Sequence, residues 1–160
     1  MENFNSDSKT SFEEAAEKRG YSPKKSRNMG FNHVTHVLKA KSKEGKAVEL
    51  KFDLKKIKNK KQSQDWLWVE FKNSEGRFGW VHGEADFVAF ERQEDFLLVN
   101  RRELLGWLNS GKKIRYDLPF VSLAKQAKYR IYKRAGKKEE ITQIHAEDLK
   151  DLESYKVWKK

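Results

Sequence analysis

The sequence contains no cysteine, which excludes disulfides and every metal centre built on thiolates. Four scattered histidines supply no spacing for a structural zinc site. Prolines are limited to Pro23 and Pro119, and each marks a connector rather than an element interior. No apolar run approaches the roughly 20 residues that span a bilayer, and the polar, acidic N-terminus lacks a signal-peptide pattern. A cytoplasmic protein that does not enter a membrane is therefore expected. Gly76, Gly79 and Gly83 lack the Gly-Lys-Ser/Thr ending of a phosphate-binding P-loop. Hydrophobic residues make up only 37% of the chain, but 12% aromatics argue against general disorder.

What the chain has in excess is positive charge, +11 in total, and that charge comes in blocks. Residues 24–61 hold 13 Lys/Arg against Glu44, Glu49 and Asp53, and residues 112–138 hold 10 against Asp117 alone. The remainder of the chain is net acidic. Two basic blocks on an acidic background predict a surface that meets a polyanion, with nucleic acid the expected partner. Lys24, Lys25, Arg27, Lys55, Lys56, Lys58, Lys60 and Lys61 are the candidate phosphate contacts, orienting the ligand without reading its sequence.

The 160 residues suit one domain with a real core. Residues 1–10 are expected to be disordered, and residues 11–160 to form a single mixed α/β (α+β) unit. Ser11 and Glu14 predict a capping box for a helix that runs through Ala15 and Ala16 and stops at Gly20. A basic loop around Pro23 leads to strands over residues 31–39, 47–54 and 66–72, read as a three-stranded meander. The apolar runs 85–90 and 96–99 read as buried strands. Asn100 caps a helix over residues 101–109, closed before Gly111. Segments 129–132 and 140–144 flank Ala135-Gly136-Lys137 as a terminal hairpin, and residues 146–152 form a short last helix. Trp66, Trp68, Trp80 and Trp107 are core candidates, any exposed one being a stacking surface for unpaired bases.

Strand periodicity places Val48, Leu50, Phe52 and Leu54 on one face of the second predicted strand, and Glu49, Lys51 and Asp53 on the other. A carboxylate and an ammonium two residues apart on one strand face suit metal-assisted phosphodiester hydrolysis. The acid holds Mg²⁺ or Mn²⁺, and the lysine positions water and offsets phosphate charge. A second Glu-x-Lys, Glu70 and Lys72, lies on the next strand with Trp66 and Trp68. For that pair, Glu49 or Asp53 would be the accompanying acid.

Several segments in order (Phe12-Glu13-Glu14-Ala15-Ala16, Glu49-x-Lys51, Trp68-x-Glu70-Phe71-Lys72-Asn73, Gly79-Trp80-Val81-His82-Gly83-Glu84-Ala85-Asp86, and the late basic hairpin) resemble small phage-type members of the PD-(D/E)xK nuclease superfamily. The resemblance implies a restriction-endonuclease-like mixed sheet with flanking helices. It also implies a Mg²⁺- or Mn²⁺-dependent endonuclease acting on DNA rather than RNA, in the cytoplasm of a phage-infected cell. Glu13 matches the helical acid, Glu49 and Lys51 match the catalytic pair, and Asp53 and Glu70 are further metal ligands. Thr35 stands where the family carries a strand aspartate. The alternative implied by that departure is an inactive nuclease fold that binds nucleic acid or a host protein. Either form is compatible with a homodimer.

Overall fold

The computed structural model describes residues 9–27, 30–58 and 64–160. Residues 1–8 of the expected disordered tail, and Lys60 and Lys61 of the expected phosphate clamp, lie outside the described residues.

The eight-residue helix α1 (Ser11–Lys18) is too short to persist alone, and its start is fixed by a capping box. The box belongs to Thr10 and Glu13, one residue earlier than the Ser11/Glu14 pair expected from sequence. Thr10 is thus part of the ordered domain. Phe12, Ala15 and Ala16 form the face of α1 that is buried.

Strands β1 (Ser22–Lys25), β2 (His36–Lys41), β3 (Ala47–Lys55), β5 (Phe87–Glu91), β6 (Asp95–Asn100) and β8 (Lys156–Lys159) form one sheet in the order β1-β2-β3-β5-β6-β8. The β3–β5 pair is parallel and the others are antiparallel. Strand β1 replaces the expected basic loop. Pro23 is tolerated there because β1 lies at the sheet edge, where one side of the backbone needs no partner. Strand β4 (Trp66–Lys72) does not continue the expected meander. It pairs with β7 (Glu140–His145) in a separate two-stranded ribbon. Most of the β7 ladder is therefore taken by β4, and the expected terminal hairpin survives as a bridge between Tyr132 and Ile141. The second helix α2 (Arg101–Asn109) starts where the sequence predicts, with the Asn100 side chain accepting from the Glu103 N–H. The expected last helix is a 3₁₀ segment, Ala146–Asp151. This is a single mixed α+β domain, as the residue pattern predicts. Among the described residues, no helix is long and apolar enough to cross a membrane.

Period-two alternation assigns the two sheet faces. Phe52 and Leu54 of β3, Ala89 of β5, and Phe96 and Leu98 of β6 pack with Phe12, Ala15, Ala16 and Trp158. Val88, Phe90, Leu97 and Val99 point the other way and pack with Leu104, Trp107 and Leu108 of α2 and with Leu67 and Val69 of β4. Strand β6 is buried on both faces, which explains its unbroken apolar run.

His36 sits in the first of these layers, 5.1 Å from the Phe12 ring in an edge contact. Burial dominates its titration. Lys25 and Lys56 add to the shift and Glu13 opposes it, leaving the imidazole pushed down to about 4. An unfolded chain takes up that proton near pH 6.5, so the contribution is complete above 6.5 and is lost as pH falls toward 4. The slope is about 1.4 kcal/mol per pH unit. Between pH 7 and 5 the native chain should lose about 2 kcal/mol by this route. Urea midpoints for native and His36→Gln proteins check it, since the variant should lack that slope.

Candidate functional site

Two basic segments, Lys24–Arg27 and Lys55–Lys58, meet at one end of the sheet because of strand direction. The C-terminal ends of β1, β3 and β5 and the N-terminal end of β2 all lie there. A cleft of about 1250 Å³ wraps around this end, lined among others by Lys25, Arg27, Lys55, Lys56 and Lys58 on one side and by Trp66, Trp68 and Glu70 of β4 on the other. The basic block at residues 24–61 is thereby gathered on one surface. Lys24 alternates with Lys25 along the edge strand, is exposed and is not among the cleft-lining residues. From the second basic block, Lys128 reaches the Trp66 ring, with its ammonium 4.6 Å from the centroid.

The three candidate catalytic residues do not converge. Glu13 lies on the α1 side of the sheet, where its carboxylate accepts from the Thr10 N–H at 3.1 Å and the Thr10 hydroxyl at 3.0 Å. Those capping bonds lower its pKa against the opposing effect of burial, with help from His36 and Lys25. Glu13 is a helix cap. Glu49 and Lys51 point to the opposite sheet face, since odd and even residues of β3 alternate. The Glu49 side chain is 53% exposed, with Lys39 3.9 Å away across the β2–β3 pair. Lys51 places its ammonium 4.2 Å from the Phe31 ring centroid. Glu49 is thus exposed and Lys51 half-buried against Phe31, on the sheet face away from Glu13.

The same strand face becomes buried four residues later. Asp53 is 1% exposed, and the Lys55 ammonium lies 3.1 Å from its carboxylate. Burial raises the pKa of Asp53 and Lys55 opposes that rise. Glu70 comes from β4, and its pKa is also raised, first by burial and then by Glu139. Lys55, His33 and a hydrogen bond from the Trp80 backbone N–H oppose the rise. Lys55 is the sequence candidate placed near both acids, paired with Asp53 at 3.1 Å and opposing the rise at Glu70. Among the described residues, no group of three His, Cys, Asp or Glu side chains is placed to hold one ion. Glu70 lines the cleft, whereas Asp53 is buried behind Lys55 and is not among the lining residues.

The rest of the site is built by backbone. Asn73 turns the chain after β4, its carboxamide accepting from the N–H groups of Glu75 and Arg77. The returning strand passes so close that Gly79 rests on Glu70. A Cβ at Gly79 would stand 2.5 Å from the Glu70 carbonyl oxygen and 2.7 Å from its Cγ. This close approach delivers Trp80, whose ring lies 4.8 Å from the Lys55 ammonium. Gly79→Ala should therefore displace Glu70 without altering any charge. A shifted Trp80 fluorescence spectrum, with the fold retained by circular dichroism, is the expected result. Lys72, the lysine of the second Glu-x-Lys, is drawn aside. A register shift separates it from Glu70, and its ammonium pairs with Glu140 at 3.3 Å.

Thr35 also has a structural use. Its N–H donates to the Phe52 carbonyl at 2.9 Å, and its hydroxyl accepts from the Leu54 N–H at 2.8 Å. These bonds clamp the β3 backbone on both sides of Asp53. Lys55 was legible in the sequence only as a phosphate contact. The signal for its place here was Asp53-Leu54-Lys55 itself, an Asp-x-Lys on the same face as Glu49-x-Lys51. No protein-family model, curated protein or solved structure matches the chain.

Proposed function

We propose that this protein binds nucleic acid in the basic cleft and hydrolyses its phosphodiester bonds with the help of Mg²⁺ or Mn²⁺. One observation carries the reading: Lys55, paired with the buried Asp53 at 3.1 Å, lines the wall of a lysine-rich cleft together with the carboxylate of Glu70. Glu70, on the cleft wall, would hold the divalent ion, with Asp53 fixing Lys55 beside it. When bound, such an ion polarises the phosphoryl oxygens and lowers the pKa of an attacking water. Lys55 offsets the charge that builds on phosphorus, the role that Lys51 held in the sequence reading. Lys25, Arg27, Lys56 and Lys58 hold the flanking phosphates, so binding should weaken steeply with salt. The ionised forms of both acids are needed, and both pKa values are raised. The acid limb of the rate profile should therefore lie above the ordinary carboxylate range.

A second reading, binding without cleavage, is favoured by the 3.1 Å Lys55–Asp53 ion pair, which already neutralises one acid. The test is incubation of the native protein with single-stranded DNA, duplex DNA and RNA, with Mg²⁺, Mn²⁺ or a chelator. Cleavage that the chelator abolishes is the expected outcome. Salt-sensitive binding with no cleavage of any substrate would leave the second reading in place.

A further inference from the structure

We infer that the cleft takes a strand with unpaired bases, and that Trp68 is the surface on which a base stacks. The inference rests on the cleft being a nucleic-acid site and adds which form of nucleic acid it accepts.

Strand β4 alternates between core and cleft. Leu67 and Val69 are buried, and Trp66, Trp68 and Glu70 occupy the other face. Trp66 is spoken for on several sides. Tyr129 and His145 meet it edge-on, at 5.4 Å and 71° and at 5.0 Å and 86°, and the Lys128 ammonium lies near its ring. Trp68 differs. It is 41% exposed, and its ring neighbour Tyr132 lies 6.1 Å away at a tilt of 42°.

Leaving so much indole in water forgoes the burial that large aromatics usually achieve, and the fold gains nothing visible from it. The neighbours of Trp68 in the cleft supply a use. Glu70 follows two residues later on the same face, roughly 7 Å along the strand. A base on Trp68 would therefore bring an adjacent phosphate toward the Glu70 carboxylate. The opposite wall is cationic, with Lys55, Lys56, Lys58 and Arg27 lining it. A basic groove beside an open aromatic face is the combination that binds single strands without strict sequence choice. A duplex cannot use the indole, because its base faces are already covered by their own stack.

The test measures binding in chelator, so that cleavage plays no part. Labelled oligothymidylate, oligouridylate and a blunt duplex are titrated against native, Trp68→Ala and Trp68→Phe proteins. The native protein should prefer the single strands. Trp68→Ala should lose roughly 5- to 150-fold of that affinity, the loss typical of one stacked base, with duplex binding unchanged. Trp68→Phe should keep most of it. The DNA and RNA arms report which sugar is preferred. Equal affinity of Trp68→Ala and native protein for single strands would overturn the inference, as would equal loss on single strands and duplex. Failure here with metal-dependent duplex cleavage intact removes stacking and leaves the hydrolytic reading. Trp68-dependent binding without cleavage does the reverse.

Discussion

Glu70→Gln and Asp53→Asn should each reduce metal-dependent cleavage by roughly 10²- to 10³-fold or more, the loss seen when one preorganised charge-stabilising group is removed. Each change is nearly isosteric; the first removes the anionic group on the cleft wall and the second the partner that fixes Lys55. Glutamine at position 70 can still accept from the Trp80 N–H, so the local fold should persist. Asparagine at position 53 leaves Lys55 without its 3.1 Å partner. It also removes a buried acid whose ionised form is disfavoured by desolvation, so its stability cost should be small. Nucleic-acid binding should hold or tighten in both variants, because each removes a negative charge beside phosphate. Glu49→Ala is the informative control. Its side chain is exposed and on the far sheet face from Glu13, so its cleavage rate should match the native protein. Single-turnover rates at saturating protein measure all three. Full activity in Glu70→Gln would sink the assignment, and a dead Glu49→Ala would return the site to the other end of β3.

The second large effect concerns stability. Phe12→Ala should cost about 3–5 kcal/mol, a large share of the roughly 5–15 kcal/mol that holds a typical domain together. Phe12 is fully buried among four rings: His36 at 5.1 Å, Phe96 at 5.3 Å, Phe52 at 5.7 Å and Trp158 at 6.0 Å. It ties the first helix to both the centre and the far edge of the sheet, so the cavity it leaves cannot be closed by moving one element. Glu17→Ala, on the exposed side of the same helix, should change stability by less than about 0.5 kcal/mol. Urea denaturation of the two variants checks the contrast. Equal midpoints would mean that α1 contributes little to the core. A secondary effect follows at the cleft, because Lys25 lies 4.0 Å from the Glu13 carboxylate. Undocking α1 should therefore weaken nucleic-acid binding as well.

Much of the secondary structure was legible because it depends on local rules. Asn100 before an amphipathic run and Gly111 after it identify α2. The alternation of 47–54 and the unbroken apolar runs of β5 and β6 identify strands by period and composition alone. The capping box was misplaced by one residue because Thr10-x-x-Glu13 and Ser11-x-x-Glu14 are equivalent patterns, and only burial of Phe12, Ala15 and Ala16 sets the helix phase. Strand β1 went unrecognised because lysine and proline are poor strand formers, and an edge position tolerates both. Strand β8, with Trp158 as its buried residue, gave too short a signal to separate from a polar tail.

The sequence by itself determined the charge blocks, the strand faces and the carboxylate-x-lysine pairs on strands, Glu49-x-Lys51, Asp53-x-Lys55 and Glu70-x-Lys72. It could not say which pair was buried, because all share the same spacing and the same period. That was decided by tertiary structure. Strand β4 pairs with β7 outside the main sheet, and the chain that returns after it sets Trp80 over Lys55 at the C-terminal end of β3. At the other end Glu49 stays exposed and Lys51 is half-buried against Phe31. Asp53, two residues further along, loses its water to Lys55 and the packed layer around Val88 and Trp80, and Glu70 arrives from β4 itself. Long-range strand pairing creates the site, and no local pattern encodes which distant segment will cover which end of a strand.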